Sequence, residues 1–229
     1  MRLFFPILLL ISMHAHSDSI VVELEFGLLS TSGNSEGQTI NSQLTFLKDT
    51  ASWTYKSTLA TLSSSSNQNT SAEKYSVDLQ ADKKLPEGKS LFILLVSEDD
   101  RFSGFDYQTS IGLGYGQQIV ETSEHDLRLE VGPGYRVNGF ETQSNEKEWT
   151  LRVGGYYQWK MSETATFLQY LNIEGGDKNT ISRLGVNIKS QLISSVALNV
   201  GMDAKYTEQV PLGKDHLDTE TYARIAYEF

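Results

Sequence analysis

The sequence contains no cysteine. That absence excludes a disulfide framework, a thiolate metal site and an N-terminal lipid carried on cysteine. Histidine is scarce as well, with four in 229 residues, and no His-x-x-x-His spacing or Gly-rich phosphate loop occurs, so no metal or cofactor is expected. Beyond the first eleven residues no run approaches the ~20 apolar residues of a helical membrane span. Positive charge is in deficit: 19 Lys and Arg against 29 Asp and Glu leave a formal net charge of −10. A partner rich in phosphate, nucleic acid above all, calls for the opposite balance. What is present is 39% hydrophobic and 10% aromatic residues, including 11 Tyr and 10 Phe, too much for a disordered chain. Averaged over the chain, this composition describes an acidic globular protein, but the order of the residues says otherwise.

Residues 1–17 read as a secretion signal: Arg2, an apolar stretch over 3–11, then Ala15 and Ser17 as small residues at a cleavage site. The rest, 18–229, is expected to form one domain outside the cytoplasm. It shows no helical stripe. Stretches of about ten residues alternate apolar and polar side chains between turn-forming residues. The last segment is the clearest, with Thr221, Ala223, Ile225, Tyr227 and Phe229 on one face and Glu220, Tyr222, Arg224, Ala226 and Glu228 on the other. Strand side chains point alternately to the two faces of a sheet, so one face is apolar and the other charged. The same parity recurs at Val22, Leu24, Phe26 and Leu28, at Leu127, Leu129 and Val131, at Trp149, Leu151 and Val153, and at Val196, Leu198, Val200 and Met202. Residues 91–96 are apolar on both faces, and 165–173 fit either register. The pattern predicts about twelve strands.

Alternation alone does not say which face meets water, because a soluble sandwich hides the apolar face and an outer-membrane barrel exposes it. The connections decide. One alternate set, at 31–35, 63–71, 99–105, 138–146, 175–179 and 208–218, is generally longer; the other, at 48–50, 85–88, 121–124, 161–163 and 194–195, is uniformly short. Long loops at one end and tight turns at the other predict an all-β fold, a transmembrane antiparallel up-and-down β-barrel with short periplasmic turns and longer extracellular loops. Closure pairs every backbone group inside hydrocarbon, where no water can do so. Tyr75, Trp149, Trp159, Tyr206, Tyr227 and Phe229, near segment ends, suit interfacial girdles.

Several short motifs accompany this pattern: Gly27-x-x-x-Thr31-x-Gly33-Asn34-Ser35, Asp100-x-Phe102 followed by Gly104, Gly112-x-Gly114-Tyr115, and Glu130-x-Gly132-x-Gly134-Tyr135. With the terminal aromatic strand they resemble the family of salt-induced outer-membrane proteins, a domain of unknown function, over nearly all of the chain after the signal. The resemblance implies residence in a bacterial outer membrane and little mechanism. Ile225, Tyr227 and Phe229 at alternate positions look like the signal read by the barrel-assembly machinery, which would be a partner during biogenesis, as outer-membrane lipid would be afterwards.

If the polar face points inward, the lumen holds Glu23, Glu25, Lys56, Lys74, Asp78, Arg128, Glu130, Arg136, Arg152, Lys160, Arg183, Lys189, Asp203, Lys205, Arg224 and Glu228. Within this set bases slightly exceed acids. Two readings follow: ion pairs that neutralise buried charge, or a water-filled passage for small solutes or ions, biased by its Arg and Lys. A barrel of about twelve strands is intermediate between side-chain-filled and open lumens. Gly112, Gly114, Gly116, Gly132, Gly134 and Gly154 share the lumen parity of three consecutive strands. That bare wall is expected either to leave space for solute or a folded-in loop, or to make room for large neighbouring side chains.

The favoured function is a structural or porin-like permeability role without catalysis. An outer-membrane hydrolase of protease or phospholipase type is the alternative, with His216 beside Asp215 joining Asp99 and Asp100 in an acid/base cluster at the extracellular rim. His125 is expected at the periplasmic end, the wrong rim for such a site. A further alternative is a surface binding or adhesion barrel, for which the Ser-, Asn- and Gly-rich loops offer little aromatic surface.

Overall fold

The computed structural model describes residues 19–31, 37–66, 69–101, 103–140 and 144–229. The expected signal at 1–17, the motif positions Gly33, Asn34 and Ser35, and Phe102 lie outside the described residues. Twelve strands follow one another: β1 (Ser19–Thr31), β2 (Gly37–Asp49), β3 (Trp53–Ser66), β4 (Asn69–Lys84), β5 (Lys89–Asp100), β6 (Tyr107–Glu121), β7 (His125–Gly139), β8 (Glu146–Lys160), β9 (Ala165–Gly176), β10 (Thr180–Ile193), β11 (Val196–Thr207) and β12 (Leu217–Glu228). Each pairs antiparallel with its neighbours in sequence, and β12 closes the ring on β1. The closing seam registers Glu23 with Glu228, Leu24 with Tyr227, Glu25 with Ala226 and Phe26 with Ile225. The Phe229 amide extends it by donating to Val22 O at 2.9 Å.

Alternation supplies the exterior. Leu24, Phe26 and Leu28 on β1, Leu91 and Ile93 on β5, Ile111 and Leu113 on β6, Leu151 and Val153 on β8 and Ile225 on β12 are all exposed. Leu113 keeps 61% of its surface and Trp149 keeps 75%. The largest side chains with almost no exposure are instead Arg136, Ile181 and Asn138. The molecule is therefore apolar outside and polar inside. Even the shortest strands, of 12 residues, rise about 30 Å at ~3.3 Å per residue and a tilt of ~40°. That exceeds the ~25 Å apolar band of a membrane barrel. Tyr75, Trp149 and Tyr206 stand exposed towards one end, Trp159, Tyr227 and Phe229 towards the other.

Register resolves the two ambiguous segments. Leu91 and Ile93 point out while Phe92 and Leu94 are buried inside. On β9, Leu171 and Ile173 point out while Glu174 is buried inside. One expectation needs correction: 63–71 is not a long loop, because β3 runs on to Ser66 and β4 restarts at Asn69. Cross-strand hydroxyl pairs hold this serine-rich tip in the sheet, Thr39 Oγ1 with Ser64 Oγ and Ser42 Oγ with Thr61 Oγ1, both at 2.9 Å. The longest connection, 208–216, is at the end away from the termini; the turns beside the termini are 50–52, 85–88, 122–124, 161–164 and 194–195.

Candidate functional site

Among the described residues the interior gathers most of the buried charge, and the strand register assigns its contents. Pairings such as Glu130 with Gly154, Arg136 with Glu148, Arg183 with Lys205 and Asn199 with Arg224 put facing residues on the same side of the sheet. All sixteen charges named from the sequence have the inward parity. They do not form one cluster.

Near the terminal end, Lys189 on β10 pairs with Glu23 on β1, and Arg128 on β7 pairs with Asp82 on β4. Lys160 and Glu228 are exposed at this rim. At mid-height Glu130 receives Arg128 at 3.0 Å, Gln80 Nε2 at 2.8 Å and, more distantly, Arg152 at 4.0 Å. Arg152 donates to Tyr156 Oη at 2.6 Å and Asn172 Oδ1 at 2.7 Å. Across the seam, Glu25 accepts from Asn199 Nδ2 at 2.8 Å and pairs with Arg224 at 3.4 Å. Arg224 also pairs with Glu220 at 3.1 Å and lies over the Tyr222 ring. Tyr170 donates to Asp203 at 2.9 Å.

Towards the loop end, Arg136 is 1% exposed. It pairs with Glu148 at 2.7 Å and donates to Asn179 O at 2.5 Å and Glu174 O at 3.2 Å. Glu148 Oε2 in turn accepts the Lys178 amide at 2.8 Å. Lys205 pairs with Glu98 and donates to Gln108 Oε1 at 2.6 Å. Glu98 also faces Lys74 at 3.6 Å and Arg183 at 3.9 Å. Desolvating any of these groups alone would cost several kcal/mol, so each is compensated by an opposite charge or a donor.

The expected excess of inward bases does not hold. Asp82, Glu98, Asp100, Glu148, Glu174 and Glu220 also face inward, and acids now at least match bases. Their parity was readable: Asp82 follows Gln80 and Asp78 by twos, Glu174 follows Asn172, and Glu148 precedes Arg152. Glu98 was hidden because β5 is apolar on both faces.

The glycine wall also needs correction, for it is not bare. A Cβ on Gly114 would lie 2.7 Å from Phe92 Cζ, one on Gly116 2.9 Å from Arg128 Nη2, one on Gly134 2.8 Å from Thr150 Oγ1, and one on Gly154 2.8 Å from Asn172 Oδ1. Leu94 Cγ stands 3.4 Å from the Gly112 position. The glycines leave room for neighbouring side chains to lie flat, so the space is filled from within the wall. At Gly132 the approach is backbone on backbone, with Leu113 O and the Gly114 Cα, the latter at 2.6 Å, where a side chain would start.

Solvent reaches the interior elsewhere. Lys56 on β3 and Asp78 on β4 point inward and are nevertheless exposed. A cavity of about 210 Å³ opens at the terminal end, lined by Glu23, Lys189, Gln191 and Glu228 among others.

The acid/base cluster expected around His216 is not assembled. Asp99 and Asp100 are consecutive strand residues on opposite faces of β5, so they do not converge. His216 Nδ1 lies 2.9 Å from Thr207 O and its ring stacks on Tyr206. His125 stands at the terminal end with Nδ1 2.9 Å from Tyr157 Oη. Among the described residues, no group of three or more His, Asp or Glu is arranged to hold a metal.

Residues 24–229 match the family described as "Protein of unknown function, DUF481". The chain belongs to this family. A relative in Escherichia coli strain K12, the uncharacterised protein YdiY, is 27% identical over 209 residues, covering 89% of this chain and 81% of its own. Among solved structures, the DUF481 chain is similar to the NanC porin, with a TM-score of 0.54 at 11% identity, covering 91% of this chain and 98% of that one. It is also similar to an outer-membrane channel from Pseudomonas putida F1, with a TM-score of 0.51 at 10% identity, covering 95% and 97%. At such identities the likeness is one of fold, and the fold is that of outer-membrane barrels.

Proposed function

We propose that this DUF481 chain is an integral outer-membrane barrel that lets small polar solutes or ions pass through a narrow, charge-lined lumen. The observation that carries the reading is the inside-out distribution of polarity: a belt of exposed Leu, Ile and aromatic side chains around a charged interior in which Lys56 and Asp78 remain in solvent. A belt of that kind is stable against hydrocarbon and a liability in water. The porin and channel folds it resembles support the same reading.

On this reading the passage follows the β2–β4 wall. The other side is filled by Phe92, Leu94 and the Arg128, Glu130 and Arg152 network; on the β3–β4 side, Lys56 and Asp78 stand in solvent. The solute is small and hydrated. The termini and tight turns lie in the periplasm, the 208–216 connection faces outward from the cell, and Ile225, Tyr227 and Phe229 present the alternate aromatic strand to the assembly machinery.

The test is electrical. Purified in detergent, the protein should show a heat-modifiable gel shift, and in planar bilayers it should give small discrete conductance steps. Lys56→Glu should move the reversal potential in a salt gradient towards cation preference, and Asp78→Lys towards anion preference. A protein that is soluble without detergent, or whose reversal potential ignores both substitutions, would refute the reading.

A further inference from the structure

We infer that the extracellular mouth of this barrel is gated by two loops that meet across it and by an ion pair that bridges the lumen beneath them. The inference rests on the passage proposed above and names its regulation. In a ring of twelve strands in sequence order, the β5–β6 and β11–β12 connections stand six strands apart, on opposite sides of the mouth. They nevertheless touch. A Cβ on Gly104 of the first would lie 2.9 Å from Pro211 Cγ and 3.0 Å from Lys214 Cγ of the second. Gly104 has φ 85°, a conformation that glycine adopts without penalty, so the turn and the contact both depend on it.

Each loop is moored to its own side. Phe105 is buried with its ring 5.0 Å from that of Phe140, and the Asp106 amide donates to Gly139 O at 3.0 Å. Opposite, Asn179 Nδ2 donates to Gln209 O at 2.6 Å while the Gln209 amide donates to Asn179 Oδ1 at 2.9 Å. The Glu208 amide donates to Thr180 O at 2.9 Å. One layer below, Lys205 of β11 reaches Glu98 of β5 and Gln108 of β6, again joining opposite walls. The periplasmic turns are too short to bridge their own mouth, where the cavity lined by Glu23 and Lys189 opens. The two layers thus form a strap across the lumen, and current rises when the loops part and the Glu98–Lys205 pair separates.

Because the chain has no cysteine, Gly104→Cys combined with Lys214→Cys introduces one thiol pair, at a separation a disulfide spans. The full-length protein in a planar bilayer is recorded oxidised, then after dithiothreitol, with Lys205→Ala alongside. The expected results are a cross-link visible on a non-reducing gel, open probability at least ten-fold lower when oxidised than when reduced, and open probability several-fold above wild type for Lys205→Ala. Deletion of 210–214 supplies a second opening variant and should act as Lys205→Ala does. Equal conduction by the oxidised and reduced forms of the cross-linked protein, with Lys205→Ala and the loop deletion no more open than wild type, would overturn the gate while leaving the passage standing. If the cross-link forms but no reduced, Lys205→Ala or loop-deleted channel ever conducts, the passage reading falls and takes the gate with it.

Discussion

Arg136 shows what a single interior residue contributes. It is a guanidinium with 1% exposure, held by Glu148, Glu174 and the Asn179 carbonyl. Its removal leaves the Glu148 carboxylate buried with fewer partners, and breaking one side of such a pair costs about 3 kcal/mol or more. Arg136→Ala should therefore lower the unfolding free energy of the barrel in phospholipid vesicles by about that much, read from a lower urea midpoint. Adding Glu148→Ala should recover part of the loss, since a double-mutant cycle reports coupling between neighbours. The glycines make a second test at this scale. Gly132→Ala drives a Cβ into the backbone of β6, whereas Gly112→Ala meets Leu94 at an ordinary 3.4 Å. Gly132→Ala should sharply reduce the folded, heat-modifiable fraction after refolding in micelles, and Gly112→Ala should leave it near wild type. Parity made these residues visible in the sequence, but their neighbours were not, because Phe92 and Gly114 meet only once β5 and β6 pair.

At the scale of the element, the strands share one division of labour, with β5 the exception because Phe92 and Leu94 lie inside. β6 sends Ile111 and Leu113 outward and Gln108, Ser110 and Gly112 inward, and a shift of one residue would exchange lipid and lumen faces entirely. A charge on the outer face should be costly and one on the inner face much less so. Leu113→Arg, near the middle of β6, should destabilise the barrel in a bilayer by roughly 2–4 kcal/mol, measured by urea unfolding in vesicles, with a smaller penalty in detergent micelles. Where element boundaries departed from expectation, composition misled. The serines of 63–66 look like a loop, yet they are paired strand residues, and the Ser64 hydroxyl bonds across to Thr39 of β2. Asp99 and Asp100 look like one acidic cluster, yet a strand directs consecutive side chains apart.

For the whole molecule the decisive event is closure of β12 on β1, a seam of four registered pairs extended by the Phe229 amide. Phe229 packs edge-on against Tyr227 at 4.7 Å, and both stand exposed on the outer face. On the outer-membrane reading proposed above, deleting Phe229 should slow closure and leave unassembled protein in the periplasm, detected as a larger fraction that is not heat-modifiable and is protease-sensitive after pulse labelling. The all-β class, a strand number of about twelve, the two faces of all strands but β5 and β9, and the end at which the termini lie are legible in the chain alone. These follow from a period of two and from the positions of turn residues, both local properties of the chain. Folding in three dimensions sets how the lumen is partitioned: the faces of β5 and β9, which charges neutralise one another, which wall is filled, where Lys56 and Asp78 stay wet, and that Gly104 meets Pro211 across the mouth. Those contacts join strands and loops up to six places apart around the ring, and no local periodicity encodes a distance measured through the inside of a closed barrel.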